Sequence, residues 1–289
     1  MTKEYNFRHL SFAIRHFEMT NFTIDELISV CISRQIKDGD VVVQGIATPL
    51  VAAGFILAKR THAPNLMFAS AIGQGLCADW APLGLATVEA LWLDKAITTF
   101  GFTRVATEML PRLAPKEFFR PGQIDQHGNF NNVAIGADYR RPRMRLPGTG
   151  GIPDVTPLSD EIYLYVPRHS RVTFVPRLDF LSGMGHNPER KRGQGPHYLI
   201  TDLGQFDFAD GVLRVTSIHP GETLERIKAK TGFAVGVAAD CGETPPPSAE
   251  ELRLLREEID PLGVRRLELL GGAGRKDAMR EILEKEGAI

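Results

Sequence analysis

The first third of this chain of 289 residues alternates between helix-like and strand-like spacing of its hydrophobic positions. Thr23 can cap a helix whose first turn is acidic, and apolar side chains recur at helical spacing up to Ile36. The pattern predicts four elements in this order: a helix from Ile24, a buried strand over Val41–Val43, a helix over Leu50–Arg60 and a strand over Leu66–Ala71. A strand followed by a glycine turn and a helix is typical of a doubly wound α/β fold.

The second half of the chain is richer in strand patterns. Strands are predicted over Glu161–Val166, Val172–Pro176, Tyr198–Thr201, Gln205–Phe208 and Val212–Ser217, with a hairpin at Asp210-Gly211. Helices are predicted over 221–231, 248–259 and 275–287, with a linker over Cys241–Pro247. These elements predict an α/β fold with an open, largely parallel sheet, flanking helices and a C-terminal helical appendage.

Composition narrows the function classes. The chain is 43% hydrophobic and 24% charged, which is ordinary for a globular protein, and its net charge of −1 gives no electrostatic case for nucleic acid or an anionic membrane. Three unclustered cysteines favour a reducing compartment, and no ligand spacing indicates a metal site. No apolar run is long enough to span a membrane and the first residues lack a signal-peptide pattern, so we expect a cytoplasmic protein.

Three glycine-containing segments are candidates for chemistry. They are Gly73-Gln74-Gly75, the run Gly122–Asn131 (Gly-Gln-Ile-Asp-Gln-His-Gly-Asn-Phe-Asn) and Gly148-Thr149-Gly150-Gly151. Glycines allow backbone N–H groups to approach a substrate oxygen closely, and uncharged amides are suited to holding a carbonyl group. Any one glycine turn is a weak signal, but the order and spacing of all three make the set informative.

In order and spacing these segments, with Ala63-Pro64 before the second strand, resemble the β subunit of family I CoA-transferases, glutaconate CoA-transferase in particular. The middle run is the most specific match, and it departs from the family at Pro121-Gly122, where Gly-Ala is usual. The resemblance covers about residues 20–262 and implies the CoA-transferase fold, which is similar to that of NagB. It divides the chain into an N-terminal extension (1–21), a CoA-transferase β-like domain (22–262) and a C-terminal helical tail (263–289).

The reactive residue of the resembled family is replaced in this chain. In that family a glutamate at the end of the second strand attacks the acyl-CoA and carries CoA as an enzyme thioester. Counting from Ala63-Pro64, this position is Ala71, and alanine can neither attack a thioester nor transfer a proton. Cys77 is a conceivable substitute nucleophile, although a packed cysteine is the commoner role. The catalytic residue therefore stays unassigned.

The resemblance also implies two sets of binding residues. Candidates for the oxyanion or thioester site are Gly73, Gly75, Gly150 and Gly151. Candidates for orienting the substrate are Gln123, Asn129 and Asn131. From the residues alone a local alternative stays open, in which Asp125 and Gly128 shape a hairpin turn and the asparagines bond the nearby backbone.

Three functions follow from the resemblance and its exception. The first is the β subunit of an enzyme that transfers CoA between carboxylates, with acyl-CoA as substrate, a homologous α subunit as partner and no metal. Because of Ala71, the second is a non-covalent hydrolase, ring-opening or decarboxylating relative. In a ring-cleaving hydrolase of steroid catabolism that the chain resembles, the partner subunit supplies the acid–base glutamate. The third is a non-catalytic CoA-binding subunit.

Overall fold

A computed structural model describes residues 21–43, 45, 48–70, 73–87, 90–157 and 159–289. Its strands, numbered along the chain, are β1 Val41–Val43, β2 Met67–Ser70, β3 Gly75–Cys77, β4 Ala96–Thr99, β5 Lys116–Phe119, β6 Gln123–Ile124, β7 Phe130–Asn131, β8 Ala134–Ile135, β9 Met144–Arg145, β10 Ile162–Val166, β11 Pro196–Thr201, β12 Gly204–Ala209, β13 Val212–Ile218 and β14 Gly236–Glu243.

The α-helices are α1 Ile24–Ser33, α2 Pro49–Arg60, α3 Phe102–Arg104, α4 Leu110–Leu113, α5 Ile152–Val155, α6 Leu224–Lys230, α7 Ala249–Arg253 and α8 Gly272–Lys285. π-Helical turns occupy Ala90–Asp94, Val105–Met109 and Leu254–Ile259, and a 3₁₀-helix spans Val264–Glu268. The second π-helical turn joins α3 to α4, so residues 102–113 form one continuous helical segment.

Within the described ranges, ten strands form one sheet in the order β14-β13-β12-β11-β10-β5-β1-β2-β3-β4. The five strands at its centre, β11-β10-β5-β1-β2, run parallel to one another. Antiparallel pairs appear beyond them, from β11 to β13 on one side and from β2 to β4 on the other. The predicted open, largely parallel sheet with flanking helices and a C-terminal helix is confirmed.

Apolar side chains cover both faces of this sheet. One face packs against α1 and α2 in a large core that includes Val42, Phe68, Phe118 and Tyr165. The opposite face carries two separate clusters. The first is centred on β10 to β13 and contains Phe119, Ile162, Leu164, Phe174 and Phe206, and the second contains Val43, Ala69, Val105 and Leu110. Strand residues alternate between faces, so adjacent positions of β5 enter different cores.

The first helices form where the sequence predicts them. The N–H of Thr23 donates to the carboxylate of Glu26 at 2.8 Å, which completes a capping box before α1. Pro49 stands in the first turn of α2, where its missing N–H has no intrahelical partner to lose. The predicted hairpin is also present between β12 and β13, and both Asp210 and Gly211 adopt left-handed φ values.

Two predictions about the second half are wrong. The apolar stretch Val172–Pro176 is not a strand, because its backbone turns back onto Ser170, which accepts the N–H groups of Thr173 and Phe174 at 3.0 and 2.8 Å. Phe174 makes a single bridge to Ile124, and its side chain is fully buried in the core. The ring of Phe174 also stacks on His169 with the centroids 3.7 Å apart. The predicted linker Cys241–Pro247 begins inside a strand, since Gly242 and Glu243 pair with β13.

The segment before the last helix is fixed to the main body. Arg265 is buried and pairs with carboxylates of α1, and Glu268 is buried beside the start of α2. Val264, Leu267 and Ile282 then form a small apolar cluster between the 3₁₀-helix and α8. The three-part division predicted at residues 21 and 262 stays a prediction, and residues 1–20 lie outside the described ranges.

Two buried histidines predict a loss of stability in acid. Burial lowers the pKa of His169 to about 3, with Lys230 contributing, and that of His219 to about 4, from an ordinary 6.5. Well above pH 6.5 both histidines are neutral in the folded and in the unfolded chain, so neither lowers the free energy of unfolding there. As pH falls towards 4, only the unfolded chain binds these protons, and each histidine lowers the free energy of unfolding by up to about 1.4 kcal/mol per pH unit.

The variant His219→Gln tests this dependence. Glutamine can replace the contacts of His219 with the carbonyl of Thr201 at 2.9 Å and the hydroxyl of Thr244 at 2.9 Å, but it does not titrate. We expect urea unfolding between pH 6.5 and pH 4.5 to show a shallower loss of stability in the variant than in the wild type. Equal slopes would contradict the prediction, because all other titrating groups are common to both proteins.

Candidate functional site

The carboxyl ends of three adjacent strands bring predicted site residues to one edge of the sheet. β5 ends at Phe119, β1 at Val43 and β2 at Ser70, and these parallel strands are direct neighbours. The turn that contains Gly73 leaves β2 at this edge, and the loop that contains Gln123 leaves β5 there. In open α/β sheets, ligands bind outside the carboxyl ends of the strands. This edge is therefore the candidate site.

The turn after β2 is short and internally bonded. Ser70 pairs with Gly75 across the β2–β3 hairpin, and the N–H of Gly73 donates to the hydroxyl of Ser70 at 2.8 Å. Gln74 holds a left-handed φ of 54°. The vacated position Ala71 lies outside the described residues. The thioester-binding roles of Gly73 and Gly75 stay predictions, and the N–H of Gly73 would have to be shared with Ser70.

Gln123 and Asn131 face each other across the β6–β7 hairpin, and both are buried. The amide of Asn131 donates to Gln123 Oε1 at 2.7 Å and to the carbonyl of Ala134 at 2.7 Å, while its oxygen accepts the N–H of Val133 at 2.9 Å. Gln123 Nε2 donates to Asp179 at 2.9 Å. Both amides thus stabilise the loop after β5, and their substrate-orienting role stays a prediction.

Asn129 joins this hairpin to a second loop. Its side-chain oxygen accepts the N–H of Gly185 at 2.9 Å, and its amide donates to Asp125 Oδ2 at 3.1 Å. Asp125 also accepts the N–H groups of His127 and Asn129, at 2.9 and 3.0 Å, and so closes the turn between β6 and β7. These contacts agree with the local alternative given above, in which Asp125 shapes a hairpin turn and the asparagines bond the nearby backbone. A substrate role for Asn129 stays a prediction.

The glycine loop is attached to the same hairpin and keeps unused donors. The N–H of Gly148 donates to the carbonyl of Asn132 at 2.9 Å, and the N–H of Gly122 donates to the side chain of Asn132 at 2.7 Å. Gly150 and Gly151 have φ values of 52° and 92°, and a Cβ on either would meet nothing within 4 Å. Among the described residues, neither of their N–H groups has an acceptor, so both remain available to an oxygen of a substrate.

The predicted residues thus fall into two groups. Gln123, Asn129, Asn131 and the glycine loop are connected through hydrogen bonds of the hairpin after β5. In the described part of the chain, no hydrogen bond links them to Gly73 or to the rest of the turn after β2. The two groups have in common that both lie at the carboxyl-end edge of the sheet.

A buried ionic network that no local sequence pattern indicates lies at this edge. Glu268, almost fully buried, accepts the N–H of Leu50 at 2.9 Å and the hydroxyl of Tyr165 at 3.0 Å. It pairs with Arg120 at 2.9 Å, one residue after β5. Burial raises the pKa of Glu268, although Arg120 opposes the rise. Because Glu268 comes from far along the chain, no local pattern could have indicated it.

Cys77 does not fit the role of substitute nucleophile. It is fully buried on β3, and burial raises the pKa of its thiol to about 11. The thiolate is the reactive form of cysteine, and at neutral pH a thiol with this pKa is almost entirely protonated. A packed cysteine is therefore the better description.

The described ranges contain no candidate metal site and no candidate membrane-spanning helix. No group of three or more His, Cys, Asp or Glu side chains there is placed to hold a metal ion. No described helix combines the length and apolarity needed to cross a membrane.

The sequence of residues 26–230 matches the family model for coenzyme A transferase. The chain belongs to the coenzyme A transferase family. Among curated relatives, the B-type subunit of 3-oxoadipate CoA-transferase from Pseudomonas knackmussii is 33% identical over 82% of this chain and 94% of its own length. The IpdB subunit of the cholesterol ring-cleaving hydrolase of Rhodococcus jostii is 31% identical over 78% of this chain and 88% of its own length.

The solved structure of the decarboxylase AibA/AibB superposes on this chain with a TM-score of 0.74 at 30% identity. The match covers 86% of this chain and 99% of the other. The predicted resemblance to a family I CoA-transferase β subunit, including the branch of ring-cleaving hydrolases, is confirmed, as are the predicted fold and the assignment to an enzyme family. The relatives carry the names of a transferase, a hydrolase and a decarboxylase, so family membership leaves three reactions to weigh.

Proposed function

We propose that this chain is the β subunit of an enzyme that acts on acyl-CoA thioesters together with a homologous α subunit, and that it does so without a covalent CoA intermediate. The relatives named above support the subunit role, because two are single subunits by name and the third is a two-part complex. The observation that carries the non-covalent route is Ala71 at the position of the family nucleophile.

The described residues near this position offer no clear replacement. Ser70 Oγ accepts a hydrogen bond from Gly73, and no described side chain is placed to take its proton. The thiol of Cys77 is buried and protonated at neutral pH. An activated nucleophile requires an adjacent base or a lowered pKa, and the pKa of the Cys77 thiol is instead raised. We therefore propose that water attacks the thioester.

The glycine loop is the proposed site for the thioester oxygen. Gly150 and Gly151 present N–H groups that have no acceptor among the described residues, and their left-handed backbone leaves space on the side where a Cβ would lie. Preorganised donors of this kind stabilise the oxyanion that forms when a thioester is attacked. Gly73 and Gly75 would complete this site from the turn after β2.

The hairpin after β5 would place the acyl group. Gln123, Asn129 and Asn131 are proposed to orient it, through the loop positions that their internal hydrogen bonds fix. Exposed Arg143 and Arg145 precede the glycine loop and are suited to the phosphates of CoA. CoA enters this account as part of the substrate, with no metal involved.

The α subunit would supply the missing wall of the site. Among the described residues of this chain the glycine loop is open, since a Cβ placed on Gly148, Gly150 or Gly151 would have no neighbour there within 4 Å. Three cysteines without a described disulfide fit a reducing compartment, and we place the enzyme in the cytoplasm on that ground.

Covalent CoA transfer is the second candidate, and the identity of 33% with a CoA-transferase subunit favours it. The two routes differ in their need for an acceptor carboxylate. The complex of this chain with its α subunit would be incubated with a panel of acyl-CoA thioesters, including acetyl-CoA and succinyl-CoA, with and without added acetate or succinate. Substrates and products would be identified by mass spectrometry.

We expect consumption of a thioester at a rate that an added acceptor carboxylate does not change. Consumption that depends on the acceptor, with formation of a new acyl-CoA, would establish transfer and contradict the non-covalent route. A complex that binds CoA but consumes no thioester would instead support a non-catalytic binding subunit.

A further inference from the structure

A glutamate stands in the central strand of the sheet, beside the strand that leads to the vacated nucleophile position. Glu117 lies in β5, in register with Val43 of β1 and Ile162 of β10. Val43 is in turn in register with Ala69 of β2. The row Ile162–Glu117–Val43–Ala69 therefore crosses four adjacent parallel strands. Ala69 precedes Ala71, the vacated position, by two residues.

Glu117 faces the side of the sheet that carries Val43 and Ala69. Phe118 belongs to the core beneath α1 and α2, whereas Phe119 belongs to the opposite face. Because strand residues alternate, Glu117 shares the face of Phe119. On that face Ile162 belongs to one apolar cluster and Val43 to the other, so the carboxyl lies between the two clusters.

This carboxyl has no partner within the described residues, either as a hydrogen bond or as an ion pair. Charged side chains in a sheet interior are rare unless they are paired, because removing them from water is costly. Its row neighbours are apolar. The helical segment 102–113 carries Arg104, Glu108 and Arg112, and α5 carries Asp154, but all four are exposed. Glu117 itself is half-buried, with part of its surface open to solvent, and the burial of its carboxyl raises its pKa to about 8.

Along the direction of the strands, Glu117 lies near the edge of the sheet that forms the candidate site. Its partner Val43 is the last residue of β1, and Ala69 is the residue before the last of β2. Two strand spacings of about 4.8 Å separate the backbone of Glu117 from that of Ala69, or roughly 9.5 Å in all. The only carboxyl of this row therefore lies close to the edge at which Gly73 and the glycine loop are proposed to hold the thioester.

We propose that Glu117 is the acid–base catalytic residue of this chain, and that it replaces the function lost at Ala71 by activating water instead of attacking the thioester. This inference rests on the proposed function. A proton-transfer residue needs a side chain that can reach the reacting water and can change its charge near the working pH. The position of Glu117 in the row beside β1 and β2 supports the first requirement, and its raised pKa supports the second.

The step balances with water as the only co-reactant. Ionised Glu117 takes a proton from water as the water oxygen bonds to the thioester carbonyl carbon. The tetrahedral intermediate then collapses, the C–S bond breaks, and the electron pair leaves with the sulfur. Glu117 returns its proton to the CoA thiolate, which gives free CoA and a carboxylic acid.

The variant Glu117→Gln tests the proposal in the complex with the α subunit. Glutamine has the same shape as the protonated carboxyl, so the variant should fold. Glu161→Gln is the matched control, because Glu161 precedes β10, the strand next to β5, and among the described residues its carboxylate accepts only the hydroxyl of Tyr163, at 2.8 Å. Its backbone carbonyl accepts the N–H of Glu117 at 3.3 Å, a contact that the substitution leaves in place. With acetyl-CoA and succinyl-CoA as probes, we expect turnover by Glu117→Gln to fall at least roughly 100-fold and turnover by the control to stay unchanged.

Two pH profiles accompany the rates. Wild-type turnover should rise as pH approaches 8, because the base must be ionised, and this rise should be absent in Glu117→Gln. Stability gives an independent reading. The pKa of Glu117 is raised in the folded state. The residue therefore contributes fully to the free energy of unfolding below pH 4.5, its ordinary pKa, and this contribution is lost as the pH rises towards 8. Only the wild type should show that loss.

The outcomes separate this inference from the proposed function. If the wild type turns over a thioester and Glu117→Gln does so equally well, Glu117 is not the base and the α subunit must provide it. If the wild type consumes a thioester only through transfer to a carboxylate, the proposed function fails, and the assignment of water activation fails with it. A large loss of turnover with the altered pH profile supports both.

Discussion

Replacing Arg265 with alanine is expected to lower the free energy of unfolding by about 3–5 kcal/mol. The side chain of Arg265 is buried among three carboxylates. Its Nη1 lies 2.9 Å from Asp260, its Nη2 lies 3.2 Å from Glu26, and its Nε forms a close ion pair with Asp25 at 2.8 Å that lacks hydrogen-bond geometry. Without the guanidinium, the buried carboxylates of Asp25 and Asp260 lose the ion pairs described above, whereas Glu26 keeps Arg256 at 2.7 Å. Helix α1 also loses the contacts of Arg265 that join it to the C-terminal 3₁₀-helix.

Arg253→Ala is the control for this prediction. Arg253 also contacts several carboxylates, including Glu250 at 2.7 Å and Glu258 at 2.8 Å, but on the exposed surface of α7. Exposed ion pairs contribute little because water and salt screen them. Urea unfolding of both variants should show a large shift for Arg265→Ala and a small one for Arg253→Ala. Equal shifts would contradict the importance given to the buried cluster.

Replacing Gly185 with alanine is expected to cost at least about 2–3 kcal/mol, the upper part of the range for overpacked sites. A Cβ at Gly185 would lie 2.2 Å from the carbonyl carbon of Gly128, 2.3 Å from the nitrogen of Asn129 and 2.4 Å from the carbonyl oxygen of His127. All three are backbone atoms, which cannot move aside as a side chain can. The variant must therefore separate the two loops or distort the hairpin after β5.

Gly274→Ala is the matched control, since a Cβ there meets nothing within 4 Å and the residue lies inside α8. Alanine favours helices over glycine by up to about 1 kcal/mol, so this variant should be as stable as the wild type or more stable. Differential scanning calorimetry would compare the two. A Gly185→Ala variant with an unchanged melting temperature would show that the loop containing Gly185 is not packed against the hairpin after β5 in solution.

Local patterns were sufficient for elements whose signals lie close together in sequence. The capping box of α1 joins residues three positions apart, and the β12–β13 hairpin follows from Asp210-Gly211. Val172–Pro176 has the apolar content of a strand, yet its Phe174 fills a core from a turn. Propensity cannot distinguish these cases, because the deciding contacts are with distant parts of the chain.

In the candidate site, too, some features follow from local sequence and others from contacts between distant residues. The glycine segments were visible in the sequence because their spacing is a family pattern. The mutual hydrogen bonding of Gln123 and Asn131 needs the hairpin geometry, and Glu268 reaches Leu50 across more than 200 positions. Glu117 looked like any acidic residue until the register placed it in the row with Ala69. Functional positions that depend on register or long-range packing are not readable from local sequence.

We propose above that this chain acts on an acyl-CoA thioester without forming a covalent bond to CoA. The most direct test is the intact mass of this chain, in complex with its α subunit, after incubation with acyl-CoA thioesters and rapid acid quenching. Ala71→Glu provides the positive control, because it restores the family nucleophile at the vacated position. We predict turnover without a CoA adduct on the wild-type chain and a CoA adduct on Ala71→Glu. A CoA adduct on the wild-type chain would contradict the account.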